Sequence, residues 1–434
     1  MKKPIIGVIG LGFVGSTLAV TNAKKGFETI VIDINKEKIE NFKKGKPDLY
    51  EPLLEKYLNQ SLKLKKISFS NEINKIIGCD IIFITVGTPS NKKGEISLQY
   101  LKKVINDLLK KLNRKKTKCL IVIKSTVIPN TTEWVSKKFK SFKNVGVVVN
   151  PEFLREGSAI NDLLNPHLIV IGSDKKENAN LLEKYYKLFY NKKQNILQTN
   201  FPTAEFIKYS NNAFLATKIS FINSMANVCQ NFPNVDIEII ANAIGRDKRI
   251  GPLFLKAGPG FGGSCLPKDL NALISFSNKF SNTNNLFKAV KNVNEEQPTK
   301  IISLMKNIGV YKPNKIISIL GLSFKKNTDD IRESISIKLI KKLLAKEIKI
   351  KVHDPMALEN VKKIFKDKIQ YNVNIDNCLK QSDCCIVLTD WDDYTKLSLK
   401  DFKNMKRKNI IDARRVLNPK QFSKINFKAI GLGK

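Results

Sequence analysis

The sequence predicts an α/β fold: two Rossmann-like, doubly wound domains joined by a long central helix that belongs to a helical dimerisation domain. Three observations predict it. The 434 residues are too many for one ordinary hydrophobic core. Short apolar runs alternate with longer amphipathic stretches in the first 200 residues and again after Pro298, which is typical of parallel sheets with crossover helices. Between these regions, one helical pattern continues without Gly or Pro. The expected domains are residues 1–198, 199–300 and 301–434.

The first domain is expected to contain a parallel sheet. Its strands are short apolar runs without polar alternation, a pattern typical of strands buried on both faces. These runs are Ile5–Ile9, Thr29–Ile32, Ile81–Val86, Leu120–Ile123 and Val145–Val149.

The central helix is predicted over residues 204–228. Apolar side chains recur along it with a helical period, at Phe206, Ile207, Phe214, Leu215, Ile219 and Phe221. Lys208 and Asn212 lie four residues apart and therefore on one face. Because buried polar groups need partners, these two belong either to a satisfied core network or to a functional site.

The third domain repeats the strand–helix alternation. Its expected strands are Ile316–Leu320, Ile348–Val352, Cys385–Leu388 and Ile410–Ile411. The chain should therefore contain a second parallel sheet.

The net charge of +37 would ordinarily suggest a nucleic-acid partner. However, the chain contains 68 lysines and only 8 arginines, and the lysines are spread over its whole length. Nucleic-acid readers rely on arginine for bidentate contacts, so the composition argues against such a partner. A basic surface would still attract an anionic substrate. No run reaches the roughly 18 apolar residues of a membrane span, so no membrane association is expected.

The seven cysteines follow neither a disulfide framework nor a metal-ligand spacing. An odd, scattered set is typical of a protein from a reducing compartment, so we expect a cytoplasmic protein without a metal.

A glycine motif, Gly10-Leu11-Gly12-Phe13-Val14-Gly15, follows the first strand and opens a helix. Asp33 ends the next strand. Strand, glycines, helix, strand and acid in this order indicate a dinucleotide site in which the helix N-terminus binds the pyrophosphate. Asp33 would bind the adenosine ribose and repel a 2′-phosphate, which favours NAD over NADP. The alternative is a tight strand–helix turn without a ligand.

A second glycine-rich loop, Gly260-Phe261-Gly262-Gly263-Ser264-Cys265, leads into a helix. Cys265 therefore lies near a helix N-terminus with Lys268 close by, a setting that favours the thiolate. The glycines leave room for a bulky group to reach the sulfur. Cys265 is accordingly the candidate nucleophile, and the other six cysteines are expected to be small buried side chains.

The segment Asn150–Ser158 follows a strand of the first domain, at the sheet edge where doubly wound folds bind ligands. Glu152 and Glu156 can share one face of a helical turn there. On their own, two such carboxylates are also compatible with a solvated surface.

Together, these motifs resemble the UDP-glucose/GDP-mannose dehydrogenase family. The matching segments are GLGFVG, GTP at 87–89, KSTV at 124–127, NPEFLREGSAINDL, KYSNNAFLATKISFIN, GPGFGGSCLPKD, GLSFKKNTDDIRES and DARR at 412–415, and they cover nearly the whole chain. The resemblance implies NAD-dependent oxidation of a nucleotide sugar to the carboxylate, in two steps through a cysteine thiohemiacetal and thioester. It also implies that the three domains bind NAD, carry the cysteine loop and bind the UDP-sugar, in that order.

The resemblance further implies roles for individual residues. The implied catalytic residues are Cys265 as nucleophile, Asp269 as the carboxylate that activates water, Lys208 and Asn212 as the oxyanion-stabilising pair, and Thr126 with Glu152 for handling water. The implied NAD contacts are Gly10, Leu11, Gly12, Phe13, Val14, Gly15, Asp33, Lys38, Val86, Gly87, Thr88, Pro89, Ser125, Thr126, Val127, Glu156 and Arg332. The implied sugar-nucleotide contacts are Glu152, Phe153, Leu154, Arg155, Lys208, Asn212, Arg249, Lys256, Gly258, Pro259, Gly260, Phe261, Gly262, Phe324, Lys325 and Arg414. By the resemblance, Arg249 reaches a neighbouring subunit's site, which implies a homo-oligomer of at least two chains.

The substrate branch rests on smaller differences. Arg-Glu-Gly-Ser-Ala and Arg-Ile-Gly resemble the UDP-glucose branch, whereas Leu266-Pro267-Lys268-Asp269 also fits the GDP-mannose branch. Ser264 stands where the N-acetylhexosamine branch typically has histidine. We therefore expect UDP-glucose oxidation, with GDP-mannose or another nucleotide sugar as the alternative. An inactive nucleotide-sugar-binding protein is the more distant alternative.

Overall fold

The computed structural model describes residues 2–91, 93–112, 118–280 and 284–433. Met1 and Lys434, the outer ends of the first and third predicted domains, lie outside them. The chain divides into two compact units, Met1–Asn211 and Asn212–Lys434. The α/β prediction with two parallel, Rossmann-like sheets and a central helical region is confirmed. The division into three domains stays a prediction.

The first unit contains one eight-stranded sheet. Its strands are β1 (Ile6–Ile9), β2 (Thr29–Ile32), β3 (Ile67–Ser70), β4 (Ile81–Ile84), β5 (Cys119–Ile123), β6 (Val145–Val149), β7 (Ile169–Gly172) and β8 (Ile196–Thr199). They lie in the order β3-β2-β1-β4-β5-β6-β7-β8. All neighbours are parallel except β6 and β7, which pair antiparallel.

Helices connect these strands. They are α1 (Phe13–Lys24), α2 (Lys36–Lys43), α3 (Leu54–Lys63), α4 (Gln99–Leu112), α5 (Thr131–Lys138), α6 (Ala159–Leu164) and α7 (Lys176–Tyr190). The chain leaves β1 and β4 toward opposite halves of the sheet, so their carboxyl ends form the topological switch point, where this fold binds ligands.

Alternate residues of the inner strands enter separate apolar clusters on the two faces of the first sheet. Val8 packs in one cluster with Phe83, whereas Ile9 packs in the other with Ile84. Burial on both faces explains why these strands are continuous apolar runs in the sequence.

The long helix α8 (Phe201–Cys229) begins in the first unit and ends in the second. The second unit continues with α9 (Ile237–Gly245), α10 (Leu266–Ser277) and α11 (Asn285–Asn307). Among the described residues, no helix combines the length and the apolar character that a membrane crossing requires.

A six-stranded parallel sheet completes the second unit. Its strands are β9 (Ile316–Leu320), β10 (Lys349–His353), β11 (Gln370–Tyr371), β12 (Cys384–Val387), β13 (Asn409–Asp412) and β14 (Asn426–Ala429), in the order β11-β10-β9-β12-β13-β14. The helices α12 (Ile335–Leu344), α13 (Leu358–Phe365), α14 (Ile375–Leu379) and α15 (Asp392–Thr395) connect them. A second switch point therefore lies between the carboxyl ends of β9 and β12.

Five strands, β3, β7, β8, β11 and β14, are present in the structure but were not predicted from the sequence. All lie in the outer positions of the two sheets. Outer strands are only partly covered, so most of these segments contain polar residues and lack the continuous apolar run on which the prediction relied.

Candidate functional site

The glycine loop (Gly10–Gly15) connects β1 to α1 at the first switch point. Gly10 has a φ of 103°, and a Cβ on Gly15 would lie 1.8 Å from the Gly10 carbonyl oxygen. Both positions therefore require glycine. Gly12 caps α1, and the first turn of this helix has neither a side-chain cap nor an acidic residue. A Cβ built on Gly12 meets no protein atom within 4 Å, so the helix N-terminus faces open space.

The Asp33 carboxylate follows β2 beside this loop. Its Oδ2 accepts a hydrogen bond from the backbone N–H of Leu11 at 2.7 Å, and its Oδ1 accepts one from Asn35 at 2.8 Å. The side chain is partly exposed, so its remaining lone pairs are open to a ligand.

The loops after β4 and β5 lie next to each other at the same sheet edge. The Ser125 hydroxyl donates to the Val86 carbonyl at 2.6 Å, and the Thr88 hydroxyl donates to the Thr126 carbonyl at 2.8 Å. Gly87 has no protein atom within 4 Å of a built Cβ. The structure thus brings together the predicted segments 86–89 and 125–127.

These features fit a dinucleotide. An uncapped helix N-terminus suits the pyrophosphate, the open positions at Gly12 and Gly87 let it approach the backbone, and Asp33 suits the ribose hydroxyls. Two of the residues predicted to contact NAD are engaged within the protein. Lys38 forms an ion pair with Asp48 at 3.3 Å, and the Glu156 side chain is buried.

Glu152 and Lys208 form a buried ion pair in the first unit. The Lys208 ammonium donates to the Glu152 carboxylate at 2.8 Å and to its backbone carbonyl at 2.7 Å. It also lies 5.5 Å from the centre of the Phe153 ring. Burial alone would raise the Glu152 pKa, but Lys208, the backbone N–H of Leu154 and Lys124 together hold this pKa below its usual value. Glu152 is therefore a carboxylate at neutral pH.

Lys124 is a second buried lysine in this region, and the sequence analysis assigned it no role. Its ammonium donates to the Asn150 side-chain oxygen at 2.8 Å. Burial lowers the pKa of Lys124 to about 8, with Glu152 acting in the opposite direction and Lys208 in the same one. Its position inside the KSTV motif was the available signal, but in so lysine-rich a chain one lysine does not stand out.

The cysteine loop (Gly258–Cys265) ends at the N-terminus of α10. Cys265 is the N-cap residue, and Pro267 occupies the first turn. The Ser264 hydroxyl lies 3.5 Å from the Cys265 sulfur. Cys265 is the only cysteine of the seven that is not buried. A partly exposed thiol at a helix N-terminus has the setting of a nucleophile.

Asp269 lies one turn into α10 and is buried. Its carboxylate accepts hydrogen bonds from the Asn212 amide at 2.6 Å and from the Lys268 ammonium at 2.7 Å. The predicted pair Asn212 and Asp269 is therefore in direct contact, one helical turn from the cysteine.

Two neighbours hold the cysteine loop. Asn294 on α11 accepts from the backbone N–H of Phe261 at 2.7 Å and donates to the Phe261 carbonyl at 3.0 Å. A Cβ on Gly263 would lie 2.7 Å from the Phe324 ring. The predicted substrate residue Phe324, with the Lys325 ammonium 5.8 Å from its ring centre, thus packs directly on the loop that carries Cys265.

Arg414 follows β13, the strand next to β12 of the second switch point. A Cβ on Gly258 would lie 3.3 Å from its guanidinium, and its Nε lies 3.5 Å from Asp390. Burial alone would raise the Asp390 pKa, but Arg414, with Lys256 and Lys326, holds it below its usual value. This concentration of positive charge suits a diphosphate.

The side chains of three predicted ligand-binding arginines form ion pairs with near neighbours in the sequence. Arg155 pairs with Asp162, Arg249 with Asp247 and Arg332 with Asp330. All three are exposed, so these ion pairs can exchange for a ligand at little cost. Arg415, the last residue of the DARR segment, is buried and donates to the Asp236 carboxylate at 2.7 Å.

The remaining cysteines are buried, as expected, and burial raises the pKa of Cys378 to about 12. Among the described residues, no group of three or more His, Cys, Asp or Glu side chains could hold a metal ion.

Comparison with known proteins gives one consistent result. Residues 4–190 match the NAD binding domain of the UDP-glucose/GDP-mannose dehydrogenase family, residues 202–296 its central domain and residues 318–419 its UDP binding domain. The chain is 38% identical to the UDP-glucose 6-dehydrogenase of Rickettsia bellii over 99% of both chains. It is 37% identical to the UDP-glucose 6-dehydrogenase YwqF of Bacillus subtilis, over 92% of this chain and 90% of the relative.

A solved structure agrees with these relatives. The UDP-glucose dehydrogenase of Pyrobaculum islandicum superposes with a TM-score of 0.92 at 34% identity, over 99% of this chain and 98% of that one.

Proposed function

The chain belongs to the UDP-glucose/GDP-mannose dehydrogenase family and is an NAD-dependent oxidoreductase, and we propose that it oxidises UDP-glucose to UDP-glucuronate through a covalent intermediate on Cys265. One observation carries the covalent route. Cys265 alone among the seven cysteines is not buried, and it caps α10, whose first turn carries Asp269 in contact with Asn212 of α8. A dehydrogenase that stopped at the aldehyde would need no such thiol.

The first oxidation turns the primary alcohol into an aldehyde. The hydroxyl group releases its proton to water while the carbon loses a hydride. NAD, when bound, accepts a hydride at each of the two oxidations. Lys208 supplies the cation that stabilises negative charge on the substrate oxygen, and Asn212 supplies an amide donor; one such donor contributes roughly 3 kcal/mol.

The second oxidation proceeds on Cys265. The thiolate adds to the aldehyde carbon and the oxygen takes up a proton, which gives a thiohemiacetal. The carbon of the thiohemiacetal then loses a second hydride and its hydroxyl releases a proton to water, which gives a thioester. Water then attacks the thioester, and the Cys265 thiolate leaves. We assign the activation of this water to Asp269, with Thr126 and Glu152 as further groups that handle it. One sugar thus consumes one water and two NAD.

The choice of UDP-glucose is supported by the relatives that carry this name. It is tested by initial rates of NADH formation with UDP-glucose, GDP-mannose and UDP-N-acetylmannosamine, with mass spectrometry of the product. Rapid conversion of UDP-glucose to UDP-glucuronate supports the proposal. Preference for either other sugar would keep the reaction and correct the substrate, whereas no product with any of them would favour the inactive nucleotide-sugar-binding alternative.

We also propose that two copies associate through α8. Phe214, Phe221 and Val228 are spaced seven residues apart, share one face of this helix and are 65%, 52% and 52% exposed. An apolar stripe of this kind is typical of a surface that another chain covers. Arg249 would contribute to the neighbouring subunit's site, as the family resemblance implies.

The association is tested by sedimentation of the wild type and of Phe221→Glu. We expect a dimer or a larger assembly for the wild type and a monomer for the variant, because a carboxylate in the stripe would be buried without a partner. A monomeric wild type would contradict this part of the proposal.

The proposed reaction also agrees with a cytoplasmic location. It depends on a reduced thiol at Cys265, and none of the seven cysteines is in a disulfide.

A further inference from the structure

Lys124, Glu152 and Lys208 form a lysine cluster at the carboxyl ends of β5 and β6. All three side chains are buried, and the Lys124 residue is only 6% exposed. Glu152 is paired directly with Lys208, at 2.8 Å. Lys124 has no part in the reaction proposed above, although its charge acts on both members of this pair.

The Lys124 ammonium is held by Asn150. It donates to the Asn150 side-chain oxygen at 2.8 Å and lies 3.4 Å from the Asn150 backbone carbonyl. The Tyr186 hydroxyl on α7 donates to the same side-chain oxygen. The Asn150 amide nitrogen donates to the Val170 carbonyl on β7 at 2.7 Å. Lys124 thus fixes the Asn150 side chain, which connects three neighbouring strands. Lys124 lies two residues before Thr126, and Asn150 lies two residues before Glu152.

The charges of the cluster do not cancel when all three groups are ionised. Lys124 then adds a second buried ammonium beside the Glu152–Lys208 ion pair, and its positive charge acts on both members of the pair. Excess buried charge is costly unless a negative charge arrives or a proton leaves. An oxyanion that forms on a bound substrate is such a negative charge.

We propose that Lys124 is a positioning residue of the oxidation: it fixes Asn150 at the strand ends that carry Thr126 and Glu152, and it adds the positive charge that makes the Glu152–Lys208 pair favour an oxyanion. This inference rests on the proposed function and deepens it, because it adds a residue that acts through the pair without touching the substrate.

The inference has a consequence for pH dependence. Among the described residues, the titratable groups that face Lys124 are Glu152 on the segment after β6, Lys208 on α8 and, through Asn150, Tyr186 on α7. Burial raises the Tyr186 pKa well above its usual value, so this hydroxyl stays neutral. Burial lowers the pKa of Lys124 to about 8, so Lys124 is charged below pH 8 and loses its proton above it. The help that it gives an oxyanion is therefore present below pH 8 and is lost as the pH rises through this value.

The test compares wild type and Lys124→Met by the rate of NADH formation at saturating UDP-glucose and NAD, from pH 6.5 to 9.5. Methionine matches the length of lysine without its charge. We expect the wild type to be faster by about 10-fold at pH 7, the usual scale for one nearby charge in a partly screened site, and by much less at pH 9.5. A constant ratio over the whole range would overturn the electrostatic role.

Two control variants separate charge from structure. Tyr186→Phe removes the other hydrogen bond to Asn150 together with a hydroxyl that stays neutral from pH 6.5 to 9.5, so its ratio to wild type should not depend on pH. Lys137→Met removes an exposed lysine on α5 and should follow the wild type at every pH, which controls for the net charge.

A further variant covers the case in which Lys124→Met does not fold. Lys124→Arg keeps the charge at every pH, so its ratio to wild type should rise above pH 8, and an unchanged ratio would contradict the inference. Failure of the proposed function and failure of the role of Lys124 give different results. Wild-type turnover with pH-independent variant ratios overturns only the role of Lys124, whereas a wild type that oxidises no nucleotide sugar overturns the proposed function and this inference with it.

Discussion

The two sheets share one strand order over six strands, with a switch point after the third. They differ in which groups stay accessible to a ligand at that switch point. The first strand of each sheet in chain order, β1 or β9, is followed by a glycine with a positive φ. This angle is 103° at Gly10 and 99° at Gly321. Each glycine donates its N–H to the last residue of the neighbouring strand, Ile32 at 2.8 Å and His353 at 2.9 Å. The next residue in both units is an aspartate.

These two aspartates have different surroundings. Asp33 accepts hydrogen bonds from two backbone groups and stays partly exposed. Asp354 is buried and accepts from six donors, which belong to Leu322, Ser323, Met356, Ala357 and Trp391. The same strand order therefore leaves one carboxylate partly exposed, at Asp33, and saturates the other with hydrogen bonds, at Asp354.

The connection that follows each glycine makes the difference. Helix α1 begins at Phe13, directly after the glycines, and its uncapped N-terminus is left for an anion. In the second unit α12 begins only at Ile335, and the intervening loop brings Phe324 against Gly263 of the cysteine loop. Topology sets where a site can form, and the loops decide what it binds.

The largest expected effect separates the two units functionally. Cys265→Ala should lower the rate of UDP-glucuronate formation by at least about 1,000-fold, because no other partly exposed thiol can form the thioester. NAD affinity, which depends on the first unit, should stay within about twofold of wild type. Product formation is followed by mass spectrometry and NAD binding by calorimetry. Full turnover by this variant would contradict the covalent route.

The glycine loop allows a sharper test of the first switch point. Gly15→Ala places a Cβ 1.8 Å from the Gly10 carbonyl oxygen, so the backbone must shift, and both stability and NAD affinity should fall. Gly12→Ala meets no protein atom within 4 Å and should keep the stability while it lowers NAD affinity by about 100-fold or more, the loss expected when a methyl group occupies the space of the pyrophosphate.

Thermal unfolding and calorimetry measure the two effects separately. If Gly12→Ala binds NAD normally, the pyrophosphate does not lie against Gly12. The first switch point would then not differ from the second by an anion site at its helix N-terminus.

The paired aspartates give a matched comparison of smaller size. Asp354→Asn should lower the free energy of unfolding by about 3 kcal/mol, because an amide cannot accept from so many donors at a buried position. Asp33→Asn should cost about 1 kcal/mol or less, but it should lower the preference for NAD over NADP by about 10-fold, since the repulsion of a 2′-phosphate is lost. Chemical denaturation and cofactor titrations measure these quantities. An unchanged cofactor ratio in Asp33→Asn would contradict the role of Asp33.

The smallest expected effect concerns His353. It ends β10 in the second sheet, as Ile32 ends β2 in the first. Burial lowers the His353 pKa, with Asp354 and Asp393 acting in the opposite direction. The unfolded chain therefore binds the proton more readily, and the folded protein should lose stability as the pH falls through about 6.5. His353→Ile, which makes the second unit like the first, should remove this contribution. The melting temperature of wild type minus variant should fall between pH 7.5 and pH 5.5, and a constant difference would contradict the assignment.

The parts of the account that the sequence could predict are local. The strands buried on both faces, the glycine loop with Asp33 and the cysteine loop each occupy a short segment whose pattern reflects its own geometry. The partners of Asn212 and of Phe324 were not predictable from the residues alone, because Asp269 and Gly263 lie about 60 residues away in the chain.

Lys124 shows most clearly what the sequence could not predict. Only its position in the KSTV motif distinguishes it from 67 other lysines, and that motif does not predict its burial, which results from the pairing of β5 with β6 and from the position of Asn150. Arg155, Arg249 and Arg332 show the opposite case. Their motifs indicate ligand binding, but the structure pairs each with an aspartate two to seven residues away, so their ligand contacts stay a prediction.

The central proposal is a four-electron oxidation through Cys265, and the ratio of NADH to sugar tests it most directly. With UDP-glucose limiting and NAD in excess, the account predicts two NADH per UDP-glucose consumed and complete conversion to UDP-glucuronate. One NADH per UDP-glucose, with the aldehyde as the final product, would contradict it, because the reaction would then end before the thiol of Cys265 is used.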